Sequence, residues 1–357
     1  MTSSIQHLLF VGSYSAADQP GIHAFAFDAV TGTLSSLGSF SGIEKPSFLV
    51  VHPNGRWLYA VSETSKEDDG THGAVWGYRI EQKPLTIQLI NQQSTQGNWP
   101  CHMQIDATGC WLLASNYGTG NVVLFPILPD GALGEMKDFA QHHGHGPNTA
   151  RQEGPHAHSA TFTPDNGFAI VADLGIDQLV IYALDVEAGR LRPHAVTQTR
   201  PGAGPRHVAF HPDIRRAYVA NELDNTITTY DYDAASGRLN ELDSLDTLPL
   251  GAPENTVADI HVSSSGERVY VSNRGHNSVA VYAVGTDGRL TCLTILSCGG
   301  KWPRNFALAP GGNFMLVANE HSHEIVVLPI LAGTAELGAA VARAAVKRPA
   351  CVQFAID

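Results

Sequence analysis

The stretch that decides the fold runs from Gly204 to Leu239 and reads GPRHVAFHPDIRRAYVANELDNTITTYDYDAASGRL. Its short runs are rich in Val, Ile, Tyr and Thr, and Gly, Pro, Asn and Asp separate them, which is typical of successive β-strands joined by turns. The phrase recurs as VADIHVSSSGERVYVSNRGHNSVAVYAVGTDGRL from Val257 and as WPRNFALAPGGNFMLVANEHSHEIVVLPI from Trp302. Such repetition indicates one structural unit that is used several times.

Earlier copies of the phrase read KPSFLVVHPNGRWLYAVSE, WPCHMQIDATGCWLLASNYGTGNVVLFPI and HAHSATFTPDNGFAIVADLGIDQLVIYAL. The residue that ends the second run marks the period, and its occurrences are Ser13, Ser62, Asn116, Asp173, Asn221, Asn273 and Asn319. Successive markers lie 46 to 57 residues apart. Four short strands in about 50 residues are typical of a propeller blade, so the period predicts an all-β, seven-bladed β-propeller with four-stranded blades. An ordinary β-sandwich would not explain seven matched phrases.

The two ends of the chain are predicted to share one blade, because the residues outside the first and last markers together make one more period. The C-terminal RPACVQFAI would supply the inner strand of this blade, and HLLFVGSY and GIHAFAFD the next two. Residues 1–357 are then expected to form a single domain, although length alone suggests about two. A closed ring leaves no free strand edge, so we also expect a monomer.

Composition argues against several classes of partner. The chain has 22 Lys and Arg against 34 Asp and Glu, a net charge of −12, which disfavours nucleic-acid and anionic-membrane surfaces. The chain contains no run of about 18 apolar residues, so no membrane-spanning helix is predicted. The N-terminal MTSSIQHLLF lacks the pattern of a secretory signal, and the five cysteines fit no zinc or redox spacing, so we expect a cytoplasmic protein.

The repeats also indicate where a site lies. In a blade, the start of the inner strand and the end of the second strand reach the same face, beside the mouth of the central channel. The residues at the first place are Ser47, Cys101, His158, Arg206, Ala258, Arg304 and Ala350. Those at the second are Tyr14, Glu63, Tyr117, Leu174, Glu222, Arg274 and Glu320. These positions vary while the surrounding phrase repeats, which favours a site over a structural role.

The charged residues among them predict an acid–base site for an anion. They are His158, Arg206, Glu222, Arg274 and Arg304, with Glu320 nearby. Guanidinium groups match phosphate or carboxylate, and a carboxylate with an imidazole can supply a general base and a general acid. A buried salt-bridge network between blades is the structural alternative.

Two inter-blade connections contain further candidates. The longest, HHGHGPNTARQEGPHAH, includes His142, His143, His145, His156 and His158. No acidic or Cys partner falls at a familiar metal-ligand spacing, so we expect a loop that covers the site, with no metal and no organic cofactor. A second connection, GAPENTVAD, contains Glu254 and Asn255, which we expect to contact the ligand.

GPHAHS with FTPDNGFAIVADLGIDQ, GAGPRHVAFHP with YVANELDNT, and PENTVADIHVSSSGERVYVSNRGHNS resemble the lactonase family of seven-bladed propellers. That family includes bacterial-type 6-phosphogluconolactonases and fungal 3-carboxy-cis,cis-muconate lactonizing enzymes, and the resemblance covers essentially the whole chain. It implies catalytic roles for the four residues that match the family's His, two Arg and Glu, namely His158, Arg206, Glu222 and Arg274. His158 is preferred to His156 as the match because Ala157 aligns with Pro205. The expected substrate-binding residues are Arg304, Glu320, His156, Glu254 and Asn255.

The resemblance implies hydrolysis of a small anionic sugar lactone, most simply 6-phospho-D-glucono-1,5-lactone to 6-phosphogluconate. Glu222 or His158 would take a proton from water, Arg206 or Arg274 would stabilise the oxyanion, and the other arginines, including Arg304, would hold the phosphate. A cycloisomerase or lactonase for a carboxymuconate-type dicarboxylate, and a non-enzymatic interaction platform, remain alternatives. A calcium-dependent gluconolactonase is disfavoured, because those proteins resemble six-bladed propellers with a metal in the channel.

Overall fold

Each repeat of the sequence forms one hydrogen-bonded sheet, which is one blade. In the computed structural model, seven separate sheets each contain four antiparallel strands, and in six of them the strands follow one another in chain order. The structure describes residues 6–331, 333–334 and 336–355, without the side chains of residues 68 and 69. The predicted all-β, seven-bladed fold is confirmed.

Each blade is formed by four strands, of which the chain supplies the first three of blade one at its N-terminal end. Blade one has β1 (Gln6–Ser13), β2 (Ile22–Asp28) and β3 (Leu34–Phe40). Blade two has β4 (Leu49–Val51), β5 (Trp57–Ser62), β6 (Ala74–Gln82) and β7 (Leu85–Ser94), and blade three has β8 (Pro100–Ile105), β9 (Trp111–Asn116), β10 (Asn121–Pro126) and β11 (Asp138–Gln141). Blade four has β12 (Ala157–Phe162), β13 (Phe168–Asp173), β14 (Gln178–Asp185) and β15 (Arg190–Gln198), and blade five has β16 (Pro205–Phe210), β17 (Arg216–Asn221), β18 (Thr226–Asp233) and β19 (Arg238–Asp246). Blade six has β20 (Thr256–Val262), β21 (Arg268–Arg274), β22 (Ser278–Val284) and β23 (Leu290–Ser297), and blade seven has β24 (Pro303–Leu308), β25 (Phe314–Asn319), β26 (Glu324–Pro329) and β27 (Ala342–Ala345).

The last strand, β28 (Pro349–Phe354), closes the ring. It is the inner strand of blade one and pairs antiparallel with β1, with Leu9 opposite Phe354 and Val11 opposite Val352. The predicted sharing of one blade by the two chain ends is therefore confirmed. In the described part of the chain the one helix, α1 (Lys66–Asp69), has four residues and is far too short to span a bilayer.

The core lies between neighbouring blades rather than at the ring centre. Within the described residues, seven apolar clusters each join two adjacent blades, and the ring of contacts is complete. Buried tyrosines add directional links: the hydroxyl of Tyr59 donates to the carbonyl of Gly131 at 2.9 Å, and that of Tyr218 to Gly288 at 2.9 Å. This packing leaves the inner strands free to line a polar channel.

A β-bulge at the start of the inner strand positions the site residues. In blade five Pro205 pairs with Asn221 and His207 with Ala220, which leaves Arg206 outside the pairing. The same register shift leaves out one residue in each of five blades, namely Cys101, His158, Arg206, Arg304 and Ala350. A bulged residue is freed from the pleat, so its side chain can be aimed elsewhere. Here it is aimed into the channel mouth.

In four of these five bulges, all but that of His158, the chain enters through a left-handed residue followed by proline. Gly204, with φ of 63°, has this role before Arg206, and a Cβ at this position would lie 2.6 Å from the side chain of Leu223. Trp302 and Arg348 occupy the matching positions with φ of 64° and 46°. Because proline fixes its own φ, the pair sets the angle at which each inner strand enters the channel.

Candidate active site

Glu222, the residue after β17, is the centre of a buried ionic cluster. Its Oε2 accepts from Arg206 Nε at 3.0 Å and forms an ion pair with Arg274 Nη2 at 2.7 Å, and its Oε1 accepts from Arg151 Nη2 at 2.6 Å. The Nε2 of His158 lies 3.8 Å from Oε2. The structure thus brings together His158, Arg206, Glu222 and Arg274 from blades four, five and six.

Backbone carbonyls hold the two buried guanidinium groups in place. Arg206, only 2% exposed, donates from Nη1 to the carbonyl of Ala258 at 2.6 Å, and the same nitrogen lies 3.2 Å from His207 Nε2. Arg274 donates from Nη2 to the carbonyl of Val257 at 3.0 Å. The Nε of Arg274 is buried and has no hydrogen-bond partner among the described residues, so this donor is unsatisfied.

The cluster fixes the charge of both candidate bases. Burial alone would raise the pKa of Glu222, but the charges of Arg274, Arg206 and Arg151 outweigh it and lower the pKa to about 2. Burial, together with the charge of Arg206, lowers the pKa of His158 well below its usual range. At neutral pH the site therefore holds a carboxylate, three guanidinium groups and a neutral imidazole. Such a cluster attracts anions and contains a proton acceptor.

A second cluster occupies the part of the mouth formed by blades one, two and seven. Glu63, the residue after β5, accepts from the Tyr14 hydroxyl at 2.9 and 3.1 Å and from the Ser47 hydroxyl. Arg304 Nη2 lies 3.9 Å from Glu63 Oε2. Of the predicted site residues, Arg304 therefore lies beside Glu63 rather than in contact with Glu222.

Glu320 belongs to this second cluster as well. Its Oε1 accepts from Arg348 Nη2 at 2.8 Å and from Arg348 Nε at 3.2 Å. The guanidinium carbons of Arg348 and Arg304 lie 4.9 and 5.0 Å from the ring centroid of Tyr14, which is within the range of cation–π attraction. The mouth thus has two groups of charged side chains, centred on Glu222 and Glu63.

Similarity to known proteins identifies the family of this chain. The family model described as "Lactonase, 7-bladed beta-propeller" matches residues 8–354. The chain belongs to this lactonase family. A Bacillus subtilis protein named 6-phosphogluconolactonase is 34% identical over 351 residues, 98% of each chain. A Formosa agariphila protein of the same name is 32% identical over 326 residues, 89% of this chain and 91% of its own. The resemblance predicted from the motifs is confirmed.

Solved structures agree with the family assignment. The structure titled Pseudomonas aeruginosa periplasmic gluconolactonase, PpgL, superposes with a TM-score of 0.92 at 29% identity and covers 98% of this chain and 99% of its own. A Lactobacillus plantarum protein superposes with a TM-score of 0.90 at 31% identity, over the same shares of the two chains. Both matches extend over the whole ring rather than a few blades.

Arg151 is a site residue of this lactonase-family protein that the sequence did not reveal. It comes from the His-rich connection, is 37% exposed and reaches Glu222 from above. The same Nη2 donates to the Tyr117 hydroxyl at 3.3 Å. The ring of His156 stacks on Tyr117 at 4.4 Å, and its Nδ1 lies 2.8 Å from the Tyr117 carbonyl. His156 thus supports Tyr117 and the loop, and does not contact Glu222. As the one arginine of that connection, Arg151 was recognisable only by its charge.

A buried network below the mouth was also missed. Asp259 accepts from His207 Nδ1 at 2.8 Å, from His261 Nε2 at 2.9 Å and from Asn305 Nδ2 at 2.6 Å. These side chains line a cavity of about 620 Å³ in the channel. Because Nδ1 of His207 donates to Asp259, its Nε2 is the acceptor for Arg206. The network therefore orients Arg206 through His207. Its only signals in the sequence are the HV that starts at His207 in β16 and the DIH that starts at Asp259 in β20.

The structure does not bring Glu254 and Asn255 to either cluster. Asn255 is buried, donates from Nδ2 to Asn225 Oδ1 at 2.8 Å and accepts from the backbone N–H of His276 at 3.0 Å. These bonds tie the connection before β20 to the neighbouring turns. Glu254 is exposed and lines an outer groove with Arg151. Asn255 lines the same groove, so the expected contact of these two residues with a ligand stays a prediction.

The His-rich connection is anchored through one of its histidines. His142 Nδ1 lies 2.6 Å from Asp173 Oδ2, and its Nε2 lies 3.0 Å from the Tyr182 hydroxyl. Across the described residues, no group of three or more His, Cys, Asp or Glu side chains is arranged to hold a metal ion. His142 therefore holds the loop in place above the site.

Proposed function

We propose that this protein hydrolyses a sugar lactone, 6-phospho-D-glucono-1,5-lactone, to 6-phosphogluconate. The observation that carries the proposal is the neutral imidazole of His158, 3.8 Å from Glu222 and beside three guanidinium groups. Lactone hydrolysis needs a proton acceptor for water and positive charge for an oxyanion, and this cluster offers both. The two relatives named 6-phosphogluconolactonase support the choice of substrate.

In the proposed reaction His158 is the general base. Its Nε2 takes a proton from a water molecule while the water oxygen forms a bond to the lactone carbonyl carbon. The carbonyl oxygen becomes an oxyanion, which Arg206 or Arg274 stabilises. When the intermediate collapses, the bond between that carbon and the ring oxygen breaks, and the imidazolium returns its proton to the ring oxygen. The products are one carboxylate and one free hydroxyl, and the released carboxyl proton goes to solvent.

Glu222 has a different role in this proposal. Its two carboxylate oxygens are engaged by the guanidinium groups of Arg151, Arg206 and Arg274, so Glu222 is not free to take a proton from water. It stays ionised, keeps three guanidinium groups close together and leaves their net charge positive. The two bases that the sequence left open are thereby assigned separate tasks: His158 moves the proton, and Glu222 positions the arginines.

The proposed chemistry uses neither a metal nor an organic cofactor. We keep a cytoplasmic location and a monomeric state as predictions. The matched PpgL structure is titled as periplasmic, so a location is best measured directly, by fractionation of the producing cell.

The test is hydrolysis of freshly prepared 6-phosphogluconolactone, read through a coupled dehydrogenase with the spontaneous rate subtracted. We expect turnover well above background, unchanged by a chelator, and a loss of about a hundredfold or more in kcat for His158→Gln. The matched control is His145→Gln, because His145 is an exposed histidine of the same connection. It should retain the wild-type rate.

Other results would favour the alternatives. Full activity in His158→Gln would remove the imidazole from the mechanism. Turnover of a carboxymuconate-type lactone, but not of the sugar lactone, would favour the cycloisomerase or lactonase alternative. Absence of turnover with both would favour the non-enzymatic interaction platform.

A further inference from the structure

The two clusters at the mouth differ in their charge balance. The Glu222 cluster sets three guanidinium groups, those of Arg151, Arg206 and Arg274, against one carboxylate. The Glu63 cluster sets Arg304 and Arg348 against Glu63 and Glu320, two charges of each sign. A phosphate dianion or an oxyanion is therefore attracted to the Glu222 side. The Glu63 side suits a neutral, hydrogen-bonding group.

Glu63 is built to accept further hydrogen bonds. Its side chain is 15% exposed at the mouth, and its described hydrogen-bond partners are the hydroxyls of Tyr14 and Ser47. A carboxylate has about four lone-pair directions, and these two donors do not use them all. Burial raises the pKa of Glu63 in spite of the nearby Arg304 charge, so added donors would stabilise its ionised form.

Arg304 offers the complementary donors. Its side chain is also 15% exposed, and among the described residues its guanidinium donates no hydrogen bond. The contacts found for it are the ion pair to Glu63 at 3.9 Å and the Tyr14 ring at 5.0 Å. An open acceptor and open donors thus lie side by side. Two neighbouring hydroxyl groups of a polyol present the matching pair, because each hydroxyl both donates and accepts.

We propose that Glu63, Tyr14, Ser47 and Arg304 form a subsite that binds the hydroxyl groups of a polyhydroxylated lactone. The phosphate and the reacting carbonyl then lie on the Glu222 side of the mouth. This inference rests on the proposed function and adds the residues that bind the hydroxyl groups and the orientation of the substrate. It also changes the expected role of Arg304, from phosphate binding to hydroxyl binding, because its side of the mouth has no excess of positive charge.

The subsite separates the two enzyme alternatives on physical grounds. A carboxymuconate-type lactone carries carboxylates in place of hydroxyls, and those would face Glu63 and Glu320. The cluster has no excess positive charge to compensate a carboxylate that loses its water there, whereas sugar hydroxyls can donate to Glu63 and accept from Arg304 without adding a charge. The Glu63 cluster therefore favours polyols over polycarboxylates.

The experiment compares two lactones with the same ring size, glucono-1,5-lactone and δ-valerolactone, of which only the first has ring hydroxyls. We expect Glu63→Gln to lower kcat/KM for gluconolactone about 10- to 100-fold, the usual effect of losing hydrogen bonds to a charged group. That loss should be at least about ten times the loss for δ-valerolactone. Ser47→Ala, a milder variant if Glu63→Gln folds poorly, should shift the ratio of the two substrates in the same direction.

Two further measurements keep the result decisive. If δ-valerolactone is turned over too slowly to measure, inhibition of gluconolactone hydrolysis is compared for gluconate and for inorganic phosphate. Glu63→Gln should weaken inhibition by gluconate and leave inhibition by phosphate unchanged. The control is Glu324→Gln, since Glu324 also pairs with an arginine at 2.8 Å but lies on β26, away from the mouth.

Equal loss for both lactones would overturn the subsite and make Glu63 part of the chemistry or the folding. Stronger inhibition by phosphate in Glu63→Gln would overturn it as well, by showing that phosphate sits beside Arg304. These results leave the proposed function intact. The proposed function itself fails only if the wild-type protein hydrolyses none of the sugar lactones above background.

Discussion

Glu222 and Glu63 occupy the same place in two different blades, yet their carboxyl groups behave in opposite ways. Each follows the second strand of its blade, and each is mostly removed from solvent. The pKa of Glu222 falls to about 2, whereas the pKa of Glu63 is raised. Glu222 has three guanidinium groups within 3.0 Å, but the nearest ion pair of Glu63 is 3.9 Å long and its hydrogen-bond donors are neutral hydroxyls. Neighbours rather than backbone position decide the charge state.

The bulge residue of the same blade makes much of this difference. In blade five it is Arg206, which donates directly to Glu222. In blade two the matching position is Ser47, which donates a hydroxyl to Glu63. The repeated fold therefore offers equivalent positions around the mouth, and the residue at the position of Arg206 or Ser47 is one of the differences between the two clusters, together with Arg274 and Arg151 at Glu222.

The largest effect is expected from Arg206→Ala. It removes the donor to Glu222 and a charge beside the reacting carbonyl, so kcat/KM for 6-phosphogluconolactone should fall about a thousandfold, or about 4 kcal/mol of transition-state stabilisation. The matching change in the other cluster, Ser47→Ala, should cost only about tenfold because a single neutral donor is lost. Steady-state kinetics of the two variants measure the contrast.

The fold should survive Arg206→Ala, because Glu222 retains Arg274 and Arg151 as partners. A thermal unfolding scan checks this. Similar losses for Arg206→Ala and Ser47→Ala would contradict the division of the mouth into an anion side and a hydroxyl side.

A second prediction concerns acid, and it extends the comparison to the network below the mouth. Burial, followed by the charge of Arg206, lowers the pKa of His207 from 6.5 to about 4. The folded state therefore binds this proton more weakly than the unfolded state does. The contribution of this residue to the free energy of unfolding is complete above about pH 6.5. It decreases by roughly 1 to 3 kcal/mol as the pH falls toward 4. Urea unfolding at pH 7, 5.5 and 4.5 measures the slope.

His207→Gln supplies the comparison for that slope. Glutamine can still donate to Asp259 but does not titrate, so the loss of stability between pH 7 and 4.5 should be smaller in the variant. An identical slope in both proteins would mean that His207 does not contribute to the acid sensitivity, and that the other buried histidines of the channel, His102 and His158, account for it.

The sequence predicted the ring, Glu222 and three of the residues around it because both depend on repetition. Comparing blades reveals a position that varies, and a β-bulge turned out to occupy that position in five of them. The bulge itself leaves no mark in the sequence beyond a preceding proline, and before His158 even this is replaced by Ala157. The comparison of blades therefore located the bulged residues without detecting the β-bulge that positions them.

Residues that reach the site from connections were beyond such a comparison. Arg151 lies in a segment that has no equivalent in the other blades, so no repeat marks it. Asn255 was expected at the ligand for its place on a connection, yet its amide bonds Asn225 and the backbone of His276. Loop residues depend on contacts distant in the chain, and only the folded structure supplies those.

The smallest effect is expected from Arg151→Ala, which makes the Glu222 cluster more like the Glu63 cluster. One guanidinium is lost from three, so the pKa of Glu222 should rise and the attraction for the anionic substrate should weaken. Because Arg151 is 37% exposed and partly screened by solvent, we expect KM to rise about fivefold to tenfold while kcat changes less than about threefold. The control is Arg192→Ala: this arginine pairs with Asp185 at the same 2.6 Å but is 69% exposed on the outer part of blade four, so both constants should stay at wild-type values. A fall in kcat without a change in KM would mean that Arg151 acts on the transition state instead, and the positive charge of the Glu222 cluster would then serve the oxyanion more than the bound substrate.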